Sequence, residues 1–185
     1  MSPTPSSTRA RLGLAVSLLL PTAFLGACSV LGGEGCHGTD PELKRLAAQP
    51  LFDAAPARAT APANYRGVGV TTGCDDDSSG KPWLRADRVY TFAGERGDVI
   101  AHYAKVARAQ GWAFEHDPSP DASSATVEGA CWTRTEKGRH LLLNVDFRPD
   151  GASPAPEAGS GILYWVSVGT TPDGSDVDGE VTCWH

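Results

Sequence analysis

Along the 185-residue chain the clearest hydrophobic pattern is helical, and it lies in the stretch GDVIAHYAKVARAQGW. Val99, Ile100, Tyr103, Val106 and Ala107 recur at helical spacing and form one apolar stripe. Arg96 to Asp98 make up the start region. Gly111 is placed to stop the helix, because glycine enters the left-handed turn at a helix end without steric cost. RVYTF before this helix and WAFEH after it read as strands. Further along, Leu141, Leu143, Val145 and Phe147 alternate with His140, Leu142, Asn144 and Asp146. That period of two predicts a half-buried strand with the first set facing inward. TVEGACWTRT precedes it across a turn at Glu136-Lys137-Gly138. GILYWVSVGT reads as another strand, apolar on both sides from Ile162 to Val166.

Nearer the N-terminus, TDPELKRLAAQP predicts a short helix over 41–48. Thr39 or Asp40 can cap it, Pro41 suits the first helical position, Glu42 favours the positive end of the dipole, and Pro50 ends it. Residues 53–64, rich in Ala and Pro, read as a wrapping loop. YRGVGVTTGC reads as a strand weakened by Gly67 and Gly69, and EVTCW as a short edge strand. Helices followed by hairpin-linked strands predict an α+β fold. Its antiparallel sheet has about five strands, with one main helix packed on a face plus the short N-terminal helix. The central strand–helix–strand unit resembles an arrangement common in small bacterial exported domains, a Tyr-bearing helix closing on Gly-Trp. That resemblance concerns a fold element and implies no activity.

The remaining apolar run is LGLAVSLLLPTAFLGA, residues 12–27. Arg9 and Arg11 precede it, and no acidic residue comes before Glu34. A basic start, a short apolar core and small residues make a secretion signal. The run is interrupted by Pro21 and is too short to cross ~30 Å of hydrocarbon as a permanent helix. It ends in Leu25-Gly26-Ala27-Cys28, which resembles the lipobox of a bacterial lipoprotein precursor. The resemblance implies cleavage before Cys28 and a diacylglyceryl group on its thiol, since a thiolate is the nucleophile that takes the lipid. Two acyl chains are what stable anchoring generally needs. The predicted organisation is a signal peptide over 1–27, a lipidated Gly-rich tether over 28–38 and one extracytoplasmic domain over 39–185. Its place is the outer face of the cell membrane.

Cys36, Cys74, Cys131 and Cys183 remain once Cys28 is set aside. In an exported domain four widely spaced cysteines read as two disulfides. Three pairings are open; Cys36–Cys74 and Cys131–Cys183 are favoured because each closes a loop within one half of the chain. The formal charge of −6 becomes −8 without Arg9 and Arg11. An acidic domain is a poor match for nucleic acid and is repelled by an anionic membrane, so the lipid on Cys28 is the membrane contact. Arg outnumbers Lys twelve to four, and with the abundant Ala, Gly and Pro this resembles the usage of high-GC actinobacterial proteins.

Candidate chemistry is fragmentary. Asp75, Asp77, Ser79 and Gly80 match the first half of a calcium loop, but its twelfth position, where a bidentate Glu belongs, is Ala86. DGSDVDGE, residues 173–180, reads as a turn-rich surface loop. Ser78 and Lys81 have S-x-x-K spacing without the S-D-N and K-T-G companions that chemistry requires, and no G-x-S-x-G occurs. His37, His102, His116, His140 and His185 form no H-E-x-x-H and no i, i+4 pair, and zinc has no C-x-x-C to hold it. Trp83, Trp112, Trp132, Trp165 and Trp184 can supply core packing or an aromatic face for sugar or peptidoglycan fragments. The expectation is a module that binds an envelope protein or a small ligand, with no catalytic residue, metal or cofactor assigned. The rival is an envelope hydrolase with a composite site using Asp75–Asp77 or His140.

The substitution Cys28→Ser is expected to leave the protein uncleaved or shed. Mass spectrometry of the N-terminal peptide and membrane fractionation check this; a Cys28→Ser variant that stays lipid-modified and membrane-bound would remove Cys28 as the anchor.

Overall fold

Alternation along the strands sorts side chains onto two faces, and the apolar set needs a cover. The computed structural model describes residues 34–76, 81–116, 129–147 and 154–176, all within one unit, Leu31–His185. In chain order they form α1 (Asp40–Ala47), β1 (Ala59–Thr60), β2 (Thr71–Asp75), β3 (Trp83–Phe92), α2 (Arg96–Ala109), β4 (Ala113–His116), β5 (Gly129–Glu136), β6 (Arg139–Asp146) and β7 (Ile162–Thr170). The strands build one antiparallel sheet in the order β1-β3-β7-β6-β5-β4, with β2 also paired to β3. The fold is α+β.

The sheet has seven strands, not the five or so expected. One of the added strands comes from the stretch read as a wrapping loop. β1 is two residues long, opposite Phe92 and Thr91, and is pinned by a 3.0 Å bond between the Thr60 and Thr91 hydroxyls. Two residues carry no readable period. The strand expected across YRGVGVTTGC is confined to Thr71–Asp75, beyond Gly67 and Gly69. β3 starts earlier than RVYTF, at Trp83, because Arg85 and Asp87 point away from the core and hide its alternation. EVTCW lies outside the described residues.

Both helices cover one face. Val99, Tyr103 and Ala107 of α2 and Leu46 of α1 join Leu84, Tyr90, Trp132, Leu143, Val145 and Val166 of the sheet in one buried cluster. Tyr90 and Tyr164 stack with ring centroids 5.3 Å apart. The Tyr90 hydroxyl donates to the Phe52 carbonyl at 2.5 Å, and burial pushes its pKa up to about 12. Helix α2 opens with a capping box between Glu95 and Asp98. It closes at Gly111, whose φ is +79°. There Gly111 N–H bonds Arg108 O at 3.1 Å and Trp112 N–H bonds Ala107 O at 3.0 Å, a Schellman ending. The chain so reversed buries Trp112, and the Arg134 guanidinium lies 4.5 Å over its ring. The β5–β6 hairpin turns on Lys137 and Gly138, both at positive φ (53° and 79°), as a tight two-residue turn requires.

Two covalent and ionic ties hold α1 to this sheet. A disulfide joins Cys36, just ahead of α1, to Cys74 in β2. Glu42 accepts bonds from Arg45 and, at 3.0 Å, from Arg139 at the start of β6. Arg45 reaches on to Glu136, which Arg134 also contacts at 2.8 Å. Burial alone would raise the Glu42 pKa, but its two arginines outweigh it and hold the carboxyl below its ordinary 4.5. A lowered acid contributes stability above its unfolded-state pKa and loses it as pH falls through the folded value.

Glu42→Gln is therefore expected to cost about 1–2 kcal/mol at pH 7. Urea midpoints measured down to pH 3 should show the gap from wild type closing below the ordinary carboxylate range; a gap independent of pH would show that Glu42 acts by packing alone.

Candidate functional site

The register that builds the core sets a different surface on the opposite face. Thr71, Asp87, Ser167, Asn144 and Cys131 stand in one cross-strand row, and Arg85, Gly169 and Leu142 in the next. Val89, Trp165 and Asp146 form a third. Cys131 and Leu142 are buried there, and Trp83 packs on them. The Trp83 indole crosses Gly169 so closely that a Cβ at that position would come within 2.3 Å of the ring.

A cleft of about 400 Å³ opens beside this cluster. Val89 and Trp165 make its floor, Arg85, Asp87 and Thr71 one end, and Tyr65, Val68 and Gly69 its wall. That wall comes from the turn Ala63–Tyr65 and the residues after it. It is tied to the approach to β7: Asn64 Nδ2 donates to Ala155 O at 2.8 Å, Glu157 N–H to Asn64 Oδ1 at 3.0 Å, and Tyr65 Oη to Pro154 O at 2.8 Å. Val68 is 43% exposed, a large apolar residue facing solvent.

The charges in the cleft are already engaged. Arg85 Nε donates to Asp75 at 2.7 Å, and Arg85 Nη1 bonds Asp87. Asp87 is only 6% exposed. Its burial pushes the pKa up, and bonds from Ser167 and Arg85 recover only part of that loss. Two charges 4 Å apart at an effective dielectric of ~20 attract by about 4 kcal/mol; here the desolvation of the carboxylate is the larger effect.

A second, smaller cleft of about 220 Å³ lies near the β4 edge, among Glu115, Thr133, Thr135, Arg134, His140 and Asp176. The Thr135 hydroxyl and His140 Nδ1 are 3.3 Å apart, and the Thr133 hydroxyl donates to Glu115 at 3.2 Å. The Arg134 guanidinium is held by Gln110 O, Gln49 and Glu136.

The residues singled out from sequence distribute as follows. Cys36 and Cys74 are bonded to each other, with sulfurs bridging Cα atoms 5.9 Å apart. Cys131 is disulfide-bonded too; Cys183, the partner expected for it, and Cys28 lie outside the described residues. Asp75 is spent on Arg85, while Asp77, Ser78, Ser79 and Gly80 are outside the described residues. Lys81 donates to Ser175 at 3.1 Å. Asp173 accepts three bonds, from Ser175 N and Oγ and Thr171 Oγ1. The backbone bond from Ser175 leads in lowering its pKa to about 2, so it serves its own turn. His102 Nε2 sits 2.5 Å from Ala54 O, fastening α2 to the preceding loop. His37 is exposed, His116 ends β4, and His185 is outside the described residues. Of the tryptophans, Trp112 and Trp132 are core, Trp83 covers Gly169, Trp165 floors the cleft, and Trp184 is outside the described residues. Among the described residues no three His, Cys, Asp or Glu gather to hold a metal ion, and no helix is long and apolar enough to cross a membrane.

Sequence reasoning missed Arg85, Asp87, Tyr65 and Val68. One signal was present: Arg85 and Asp87 are two apart in LRADRVY, so any strand there puts both on one face. Compared with known proteins, the chain matches no family model, no curated protein and no solved structure.

Asp87→Asn tests the burial of this charge. An acid whose folded pKa is raised binds its proton more readily in the native state, so stability rises as pH falls through that pKa toward the ordinary 3.8. The expected result is that the rise disappears in the variant, read as urea midpoints from pH 7 to pH 4; an unchanged profile would mean Asp87 titrates as if exposed.

Proposed function

We propose that this chain is a lipid-anchored envelope protein whose domain works by binding a small ligand in the 400 Å³ cleft on the face of the sheet opposite the helices. The lipobox-like Leu25–Cys28 stretch supports the location. The observation that carries the binding reading is the cleft itself: an apolar and aromatic floor, a wall fixed by three hydrogen bonds, and one polar end. Ligand sites are concave, mostly apolar and supplied with a few placed polar groups, with volumes of roughly 300–1,000 Å³. The cleft has that composition and a size near the lower end.

The hydrolase reading keeps one observation in its favour, the second cleft with His140 against the Thr135 hydroxyl. A nucleophile needs its base close, within about 2.6–3.2 Å, and the base in turn oriented by a third group. Thr135 is exposed, its hydroxyl 3.3 Å from His140 Nδ1 and open to water. Binding in the larger cleft is the better-supported function.

Gly69→Trp is the direct test. A Cβ at Gly69 meets nothing within 4 Å and its φ is not in the left-handed range, so the variant should fold with stability within about 0.5 kcal/mol of wild type while filling the cleft. In a thermal-shift screen of small molecules, ligands that raise the wild-type melting temperature should leave Gly69→Trp unmoved. Ligands that stabilise both proteins equally would place binding elsewhere.

A further inference from the structure

We infer that the ligand of the Trp165 cleft is a neutral saccharide of one or two rings. The inference rests on the reading that this cleft binds a ligand, and it concerns what the polar end of the cleft can accept.

That end is an ion pair already closed on itself. Arg85 lies between Asp75 and Asp87, bonded to both. An anionic ligand approaching the guanidinium meets two carboxylates first. A cationic ligand approaching Asp87 meets the guanidinium, and Asp87 already accepts from Ser167. Neither charge sign finds an open partner. A neutral group does, if it both donates and accepts. Arginine is purely a donor and an ionised carboxylate purely an acceptor, whereas a hydroxyl is both at once. A pair of neighbouring hydroxyls can take an N–H from Arg85 and give a proton to a carboxylate without disturbing the charge balance.

The remaining polar atoms lean the same way. Tyr65 gives its hydroxyl proton to Pro154 O and Thr71 gives its own to the Asp87 carbonyl, at 3.3 Å. Both keep lone pairs for a ligand donor, while the buried Trp165 indole N–H, with no hydrogen-bond partner among the described residues, is a donor, so a group that both donates and accepts fits best. Asn64 gives one amide N–H to Ala155 and accepts from Glu157, which fixes its orientation and leaves its second N–H. The rest of the surface is Trp165, Val89 and Val68 with the Tyr65 ring. An apolar floor facing a rim of hydroxyl-matching groups suits a sugar ring, whose C–H face is apolar and whose edge is polar. A flat heteroaromatic ring would use the floor but carries too few donors for the rim. A cleft of 400 Å³ is small for anything longer than two rings.

The test is a titration followed by NMR, reading the Trp165 indole N–H and the methyl groups of Val68 and Val89. The probes are neutral disaccharides (cellobiose, maltose, galactobiose and N,N′-diacetylchitobiose). Control probes are a sugar phosphate, a deacetylated amino-sugar dimer and adenine. At least one neutral disaccharide should shift all three signals saturably. Trp165→Ala should weaken it tenfold or more, and Gly69→Trp, which leaves the core untouched, should abolish the shifts. If only charged probes or adenine move these signals, the saccharide class is wrong and the cleft remains a binding site. If no probe moves them, the class and the binding reading both fall.

Discussion

The domain depends on the pairing of β3, the strand shared by every part of it. Along one edge it runs beside β7 from Leu84 to Phe92. Along the other it holds β2 at its first half and β1 at its end. Its alternation is then forced in both directions. Leu84, Ala86, Tyr90 and Phe92 go under the helices; Arg85, Asp87 and Val89 go to the opposite face. A slip of one residue would exchange these sets, placing a charged pair in the core and an aromatic row in water. Core and cleft are the two sides of one register.

The buried charge at Asp87 follows from that register and is only partly offset by it. Transferring an ionised carboxylate away from water is unfavourable unless hydrogen bonds and an opposite charge compensate. Ser167 and Arg85 compensate in part, and the raised pKa records the remainder. The Glu42 cluster shows the opposite outcome in the same molecule. Glu42 is removed from water to a lesser degree, its side chain 14% exposed, and its two arginines bring its pKa down. Glu42 draws on two cations, Arg139 and an Arg45 that also reaches Glu136, whereas the more deeply buried Asp87 shares its single arginine with Asp75. Unrelieved electrostatic cost thus sits in the cleft and is absent from the cluster that fastens α1.

What the sequence made legible follows the strength of its periodicities. The α2 stripe, Gly111 at its end and the inward set of β6 lie where their spacing placed them. The turn at Lys137-Gly138 carried its own chemistry. β1 was invisible because two residues have no period. The start of β3 was masked because Arg85 and Asp87 break its apolar pattern on the outward face. The cleft was least legible. Tyr65, Val89 and Trp165 are far apart along the chain, and only strand pairing and the ties from Asn64 and Tyr65 to residues 154–157 bring them together. Trp165 could be named as one of five tryptophans able to form an aromatic face, but composition could not choose it over Trp112 or Trp132, which packing assigns to the core.

The disulfide between Cys36 and Cys74 has a mechanical consequence. Tension applied to the chain ahead of Cys36 cannot stretch residues 37–73, because the bridge carries the load straight into β2. Helix α1, the short β1 and the Ala63–Tyr65 wall of the cleft all lie inside that bypassed loop. From Cys74 the pull enters the hydrogen-bonded β2–β3 ladder. A domain pulled from its N-terminal end would feel each tug in the sheet, while the Ala63–Tyr65 wall of the cleft stays slack.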